Sequence, residues 1–118
     1  MFSVADNNII TITRGDTAST AIYINSGTNL DPEKYILTSD DVVYIGIMEF
    51  GQMFEDAIVK YRLTSENLND DNNVVWEIKS TDTEYLEEGK YFYEIKLTRS
   101  NGELVDTIVS KTEFFIQD

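Results

Sequence analysis

The sequence predicts one all-β domain over residues 1–118, a sandwich of about seven or eight short antiparallel strands. Short apolar or alternating runs recur along the chain and are separated by turn residues, as in such folds. A length of 118 residues suits one domain with one core. The apolar fraction of 42 % is enough to fill that core.

The first half of the chain contains three predicted strands and a long loop. Ile9–Thr13 and Thr17–Ile24 are the first two strands, joined by a turn that contains a glycine. A loop is expected at 25–32, and the sequence Pro32–Tyr35 is compatible with a short turn of helix. Val42–Phe50 is apolar at both alternating sets of positions, which predicts a central strand covered on both faces.

The second half alternates predicted strands with polar loops. We expect a helical turn over Thr81–Glu88, with Thr81 or Thr83 as its N-cap. The Asn101-Gly102 pair between two strand-like runs predicts a hairpin turn. The predicted strands of this half are Ala57–Leu63, Val74–Lys79, Tyr91–Leu97, Leu104–Val109 and Thr112–Ile116.

Composition excludes several classes of function. The net charge of −13 repels phosphate backbones and anionic lipid, so neither nucleic acid nor membrane is an expected partner. The chain has no cysteine and no histidine, which excludes disulfides, zinc sites built from those ligands and catalytic triads that need an imidazole. The first residues lack the pattern of a secretory signal, and no stretch has the length of a transmembrane helix.

No motif for catalysis or for cofactor binding is present. There is no glycine-rich phosphate loop, and nothing selects one carboxylate pair among 22 acidic residues for glycoside hydrolysis. Asn69–Asn73 clusters the oxygen ligands that Ca²⁺ prefers but lacks EF-hand spacing, so we expect a solvated loop. Arg14-Gly15-Asp16 has the sequence of an integrin-binding tripeptide and is expected to serve only as a turn. We therefore predict a protein that is not an enzyme and has no cofactor and no metal.

Aromatic residues suggest an alternative function. Exposed tyrosine and tryptophan side chains on a sandwich face can stack on sugars, although packing in the core is the commoner role. A carbohydrate-binding or host-surface adhesion module is thus the alternative. Its candidate side chains are Tyr35, Tyr44, Tyr61 and Trp76.

The segment Leu86–Tyr93 resembles the corner before strand F of immunoglobulin-like domains. In that corner a tyrosine hydroxyl bonds back to the upstream backbone. Gly89 and Tyr91 occupy the matching positions and are predicted to form a structural corner. Trp76 does not lie in the strand where antibodies carry their core tryptophan. The resemblance is therefore to the immunoglobulin-like β-sandwich in general.

A second resemblance covers most of the chain. Ile10–Thr17, with its Arg-Gly-Asp-Thr turn, resembles the start of immunoglobulin-like domains in tailed-phage proteins, notably the N-terminal domain of phage baseplate upper proteins. The last third resembles the Gly-x-Tyr-x-Tyr-x-Ile strand, hairpin and closing strand of that family. The matching residues are Gly89, Tyr91, Tyr93, Ile95, Asn101-Gly102 and Phe114–Ile116.

This resemblance implies a non-enzymatic structural protein of a phage virion, assembled in the host cytoplasm. Its partners would be other virion proteins, and a homo-oligomer or ring-bound copies are expected. Baseplate upper proteins continue into further domains, whereas this sequence ends at Asp118. We therefore expect a stand-alone capsid, neck, tail or baseplate accessory, without the family's attachment to receptor-binding proteins.

The connector Phe50–Phe54 is the candidate contact with a neighbouring protein. It follows a strand expected to be buried, and no alternating pattern returns both Met53 and Phe54 to the core. An exposed Met-Phe pair in a loop suits a protein contact. Alternatively, this loop folds over one open end of the sandwich.

Overall fold

The computed structural model describes residues 1–25 and 33–118 and is all-β. Of the loop expected at 25–32, residues 26–32 lie outside the described residues, and so does the Pro32 end of the expected helical turn. Eight strands occur within the described ranges, and the first of them, at Phe2–Val4, was not predicted. They are β1 (Phe2–Val4), β2 (Ile10–Thr13), β3 (Ala18–Ile22), β4 (Val42–Met48), β5 (Val59–Leu63), β6 (Val74–Ile78), β7 (Gly89–Arg99) and β8 (Leu104–Gln117).

The strands form two sheets of unequal size. The large sheet has the order β1-β2-β8-β7-β4-β5, and the small sheet contains β3 and β6. All neighbouring strands pair antiparallel except β2 and β8, whose parallel register places Ile10 opposite Phe114. The prediction of antiparallel strands throughout is therefore wrong for this pair. Strand direction between distant segments depends on topology, which a residue pattern does not encode.

The core contains the inward-facing side chains of both sheets. Alternation along β6 buries Val74, Trp76 and Ile78, as their spacing predicts. The Trp76 ring packs against Tyr93 of β7 at 5.7 Å and against Tyr61 of β5 at 5.4 Å between ring centroids. Trp76 therefore joins the small sheet to two strands of the large one. Fully burying each large apolar side chain contributes about 1.5–3 kcal/mol of stability.

Strand β4 is covered on both faces only at its C-terminal end. Ile45 and Ile47 are buried on the core side, but Tyr44 on the opposite side remains 37 % exposed. Gly46 and Met48 are buried on that opposite side. The prediction of double coverage is thus correct only for this end of the strand.

The β7–β8 hairpin confirms the Asn-Gly prediction. Arg99 and Leu104 form its last pair, which leaves residues 100–103 as the turn. Asn101 and Gly102 have φ values of 56° and 94°, a conformation that asparagine and glycine tolerate. The two runs predicted after this turn form the single long strand β8.

The helical turn before β7 is shorter and earlier than predicted. Helix α1 spans Ser80–Thr83. The predicted caps are wrong: Lys79 precedes the helix, and the Asp82 carboxylate accepts the Lys79 N–H at 2.9 Å. Thr83 is instead buried, and its hydroxyl accepts the Gly15 N–H at 2.9 Å. Within the described residues, no helix is long and apolar enough to cross a membrane.

Candidate protein-contact surface

The connector between β4 and β5 projects two apolar side chains into solvent. Phe50 is 86 % exposed and Met53 is 66 % exposed. The loop is held by a 2.8 Å bond from the Glu49 N–H to the Gln52 side-chain oxygen, and Gly51 has a φ of 83°. A 3₁₀ turn over Phe54–Asp56 follows. Phe50 and Met53 thus project from a loop that is held by a hydrogen bond of its own.

Phe54 has a different role from Met53. Its ring is half-buried on the outer face of β4, where a Cβ atom at Gly46 would lie 3.1 Å from the Phe54 Cε2. The Lys96 ammonium lies 4.8 Å from the centroid of the same ring. Phe54 therefore anchors the connector to the sheet, and the expected exposed pair is reduced to Met53. The contact with a partner stays a prediction.

An outward-facing residue of β7 extends this apolar surface. Phe92 lies 6.3 Å from Phe50 between ring centroids, with Lys90 and Lys111 within 6 Å of its ring. The Lys111 ammonium also donates to the Gln52 carbonyl at 2.9 Å. We name the four side chains Phe50, Met53, Phe54 and Phe92 the Phe50 patch.

The place of Phe92 in this surface was not predicted from the sequence. Tyr91 and Tyr93 face the core, so alternation places Phe92 on the opposite face of the sheet. A large aromatic at an outward position is the signal that could have found it. Its closeness to Phe50 follows from the pairing of Met48 with Phe92, which the sequence does not predict.

At the start of β7 the Tyr91 side chain is hydrogen-bonded to the backbone upstream of it. The Tyr91 hydroxyl donates to the Glu87 carbonyl at 2.7 Å. Gly89 has a φ of 152°, which side chains disfavour. Burial, followed by the nearby carboxylate of Glu49, raises the pKa of Tyr91. The hydroxyl thus remains protonated and able to donate.

Replacement of Tyr91 by phenylalanine is expected to lower the free energy of unfolding by about 0.5–1.5 kcal/mol, because the hydroxyl–carbonyl bond is lost while the ring remains packed. Urea denaturation measures the change. Tyr44→Phe is the control, since this ring is 37 % exposed on the outer face. An unchanged midpoint for Tyr91→Phe would indicate that the bond contributes nothing to stability.

All three residues of the Arg14-Gly15-Asp16 turn form ion pairs or hydrogen bonds with other parts of the chain. Arg14 forms an ion pair with Asp118, and Asp16 pairs with the terminal ammonium of Met1 at 2.5 Å. Gly15, with a φ of 81°, donates its N–H to Thr83. The tripeptide therefore forms the turn between β2 in the large sheet and β3 in the small one, as predicted.

The side chain of Asn69, the first residue of the loop at 69–73, forms hydrogen bonds within the loop. The Asn69 side-chain oxygen accepts N–H groups from Asp71 at 2.9 Å and from Asn73 at 3.0 Å. These bonds shape a local turn. In the described ranges, no three acidic side chains come together in a way that could hold a metal ion.

The four aromatic residues considered for sugar stacking do not share one exposed surface. Trp76 is 1 % exposed and lies in the core. The Tyr35 hydroxyl donates to Asp41 at 2.6 Å, and the Tyr61 hydroxyl donates to Asp82 at 3.0 Å. Only Tyr44 lies on the outer face of the large sheet, so the four do not form one platform.

Comparison of the chain with models of protein families, with curated proteins and with solved structures found no match.

Proposed function

We propose that this chain is a non-enzymatic structural protein of a tailed-phage virion, with an immunoglobulin-like fold, that acts through contacts with other virion proteins. The observation that carries the proposal is the corner formed by Gly89 and Tyr91, which matches the corner of the fold in sequence and in hydrogen bonding. The phage assignment rests in addition on the sequence resemblance of residues 10–17 and of the last third.

The division of strands between the sheets supports the immunoglobulin-like part of the proposal. Such domains place strands B and E in one sheet and strands C, F and G in the other. Here β3 and β6 share the small sheet, while β4, β7 and β8 are neighbours in the large one. The corner tyrosine then falls at the start of the strand that corresponds to F, its position in the family.

The Phe50 patch is the surface that we assign to contact with a neighbouring virion protein. Large apolar side chains exposed together on a soluble domain are typical of interaction sites. Phe50 and Met53 are available for such a contact, whereas Phe54 and the lysines hold the loop in place. A partner that binds the patch need not contact the rest of the surface, which is strongly acidic.

The double change Phe50→Asp and Met53→Asp is expected to reduce incorporation into particles by about tenfold, because it places charge in an apolar contact. Particles grown with each variant are purified on a density gradient, and the chain is quantified by mass spectrometry. The double change Tyr85→Asp and Val105→Asp is the matched control, since these side chains are 89 % and 60 % exposed and lie outside the patch. Phe54→Asp is unsuitable, because its ring also packs on β4.

Circular dichroism and the thermal midpoint establish that the double variant is folded. Normal incorporation of the folded double variant would exclude the patch as the contact. Equal loss for the patch variant and for the variant with both Tyr85→Asp and Val105→Asp would show an effect of added charge alone.

A further inference from the structure

Strand β3 has a backbone edge that no other strand covers among the described residues. It pairs with β6 through Ala18–Ile22, and the small sheet has no other member in that part of the chain. In immunoglobulin-like sandwiches the corresponding sheet has two further strands. The N–H and C=O groups along one side of β3 are thus available for pairing.

This edge lacks the features that normally prevent strand pairing. Open edges are usually protected by charge, by proline or by shortness. Strand β5 carries Lys60 and Arg62, β6 carries Glu77, and β1 has only three residues. By contrast, no residue from Thr17 to Ile24 is charged or a proline. Several of these residues are β-branched, which also favours pairing.

A cleft of about 350 Å³ lies beside β3, and most of the side chains that line it are apolar. Strand β3 lines the cleft through Thr20 and Ile22, and β1 lines it through Val4. Trp76 and Tyr93 of the core also contribute to the lining. Side chains that alternate inward from an added strand could therefore enter the cleft and contact the core.

We propose that an extended segment of a different protein chain binds in this cleft as an added strand beside β3. Main-chain hydrogen bonds to β3 would provide affinity, and apolar side chains at alternate positions would fill the cleft. The cleft lining contains no charged side chain. Because the whole domain carries −13, the segment is one in which Lys and Arg outnumber Asp and Glu.

A second copy of this chain is disfavoured as the partner. It would bring a further −13 to the same contact. The inference does not rest on the virion assignment, because the edge and the cleft are properties of the isolated domain.

Selection from a displayed library of random peptides tests the proposal on the full chain. Peptides of about nine residues are long enough to span β3 at roughly 3.3 Å per residue. We expect enriched peptides to carry apolar residues at every second position and an excess of basic residues. Two variants should weaken their binding by about tenfold or more, because each places a lysine in the cleft. These are Thr20→Lys on the β3 wall and Val4→Lys on the β1 wall.

Ser19→Lys is the matched control, because Ser19 is exposed on the outward face of the same strand. It adds the same charge without entering the cleft, so it should bind the peptides as the wild type does. Thermal unfolding checks that each variant is folded, and the two walls provide independent variants if one of them is not. Absence of enriched peptides, or peptides that bind both cleft variants as strongly as the wild type, would overturn the proposal.

Discussion

Replacement of Trp76 by alanine is expected to lower the free energy of unfolding by about 3–5 kcal/mol, the largest effect of a single substitution that we predict. Trp76 is 1 % exposed, and its ring contacts Tyr61 and Tyr93. Its removal leaves a cavity between the sheets and deletes both aromatic contacts. Since small domains have a total stability of about 5–15 kcal/mol, a measurable unfolded fraction is expected.

Urea denaturation, followed by circular dichroism, measures the effect of Trp76→Ala. Tyr85→Ala is the control, because Tyr85 is 89 % exposed and its truncation removes little packing. A loss of less than about 1 kcal/mol for Trp76→Ala would contradict a tight contact between the two sheets at this residue.

Replacement of Gly46 by valine is expected to destabilise the domain by about 1–3 kcal/mol, through overpacking on the outer face of β4. A Cβ atom at this position would lie 2.9 Å from the Ala57 Cβ and 3.1 Å from the Phe54 Cε2. Both neighbours lie in the chain between β4 and β5. The valine should therefore also displace Phe54 from the sheet. The substitution thus tests whether the Phe50 patch depends on this anchor.

The stability of Gly46→Val is measured by the same denaturation experiment. Tyr44→Val is the matched control, because Tyr44 lies two residues earlier on the same face and is 37 % exposed. If Gly46→Val is as stable as the wild type, the connector does not pack on Gly46 as described.

Much of the fold follows from local pattern. Alternation in Val74–Lys79 and Tyr91–Leu97 accounts for the side chains that the structure buries there, because the period of a strand is two residues. The hairpin at Asn101-Gly102 follows from the positive φ that these residues tolerate. The parallel pairing of β2 with β8 and the bond from Gly15 to Thr83 join distant segments, and no local pattern encodes such contacts.

The candidate surface was predictable only in part. The sequence singled out Met53 and Phe54 as a pair because no alternating pattern returns both to the core, and the structure leaves Met53 exposed. It did not separate Met53 from Phe54, because the space above Gly46 is created by folding of the connector onto β4. The bond from the Tyr91 hydroxyl to the Glu87 carbonyl was predictable, because both groups and Gly89 lie within five consecutive residues.

The number of copies of this chain per purified particle tests the proposed function most directly. Isotope-labelled peptides of the chain and of the major structural protein provide the ratio by mass spectrometry, after a high-salt wash that removes proteins bound only by surface charge. A structural role through repeated contacts predicts several copies per particle, retained through the wash. Particles that lack the chain, or lose it completely in the wash, would contradict a virion structural role.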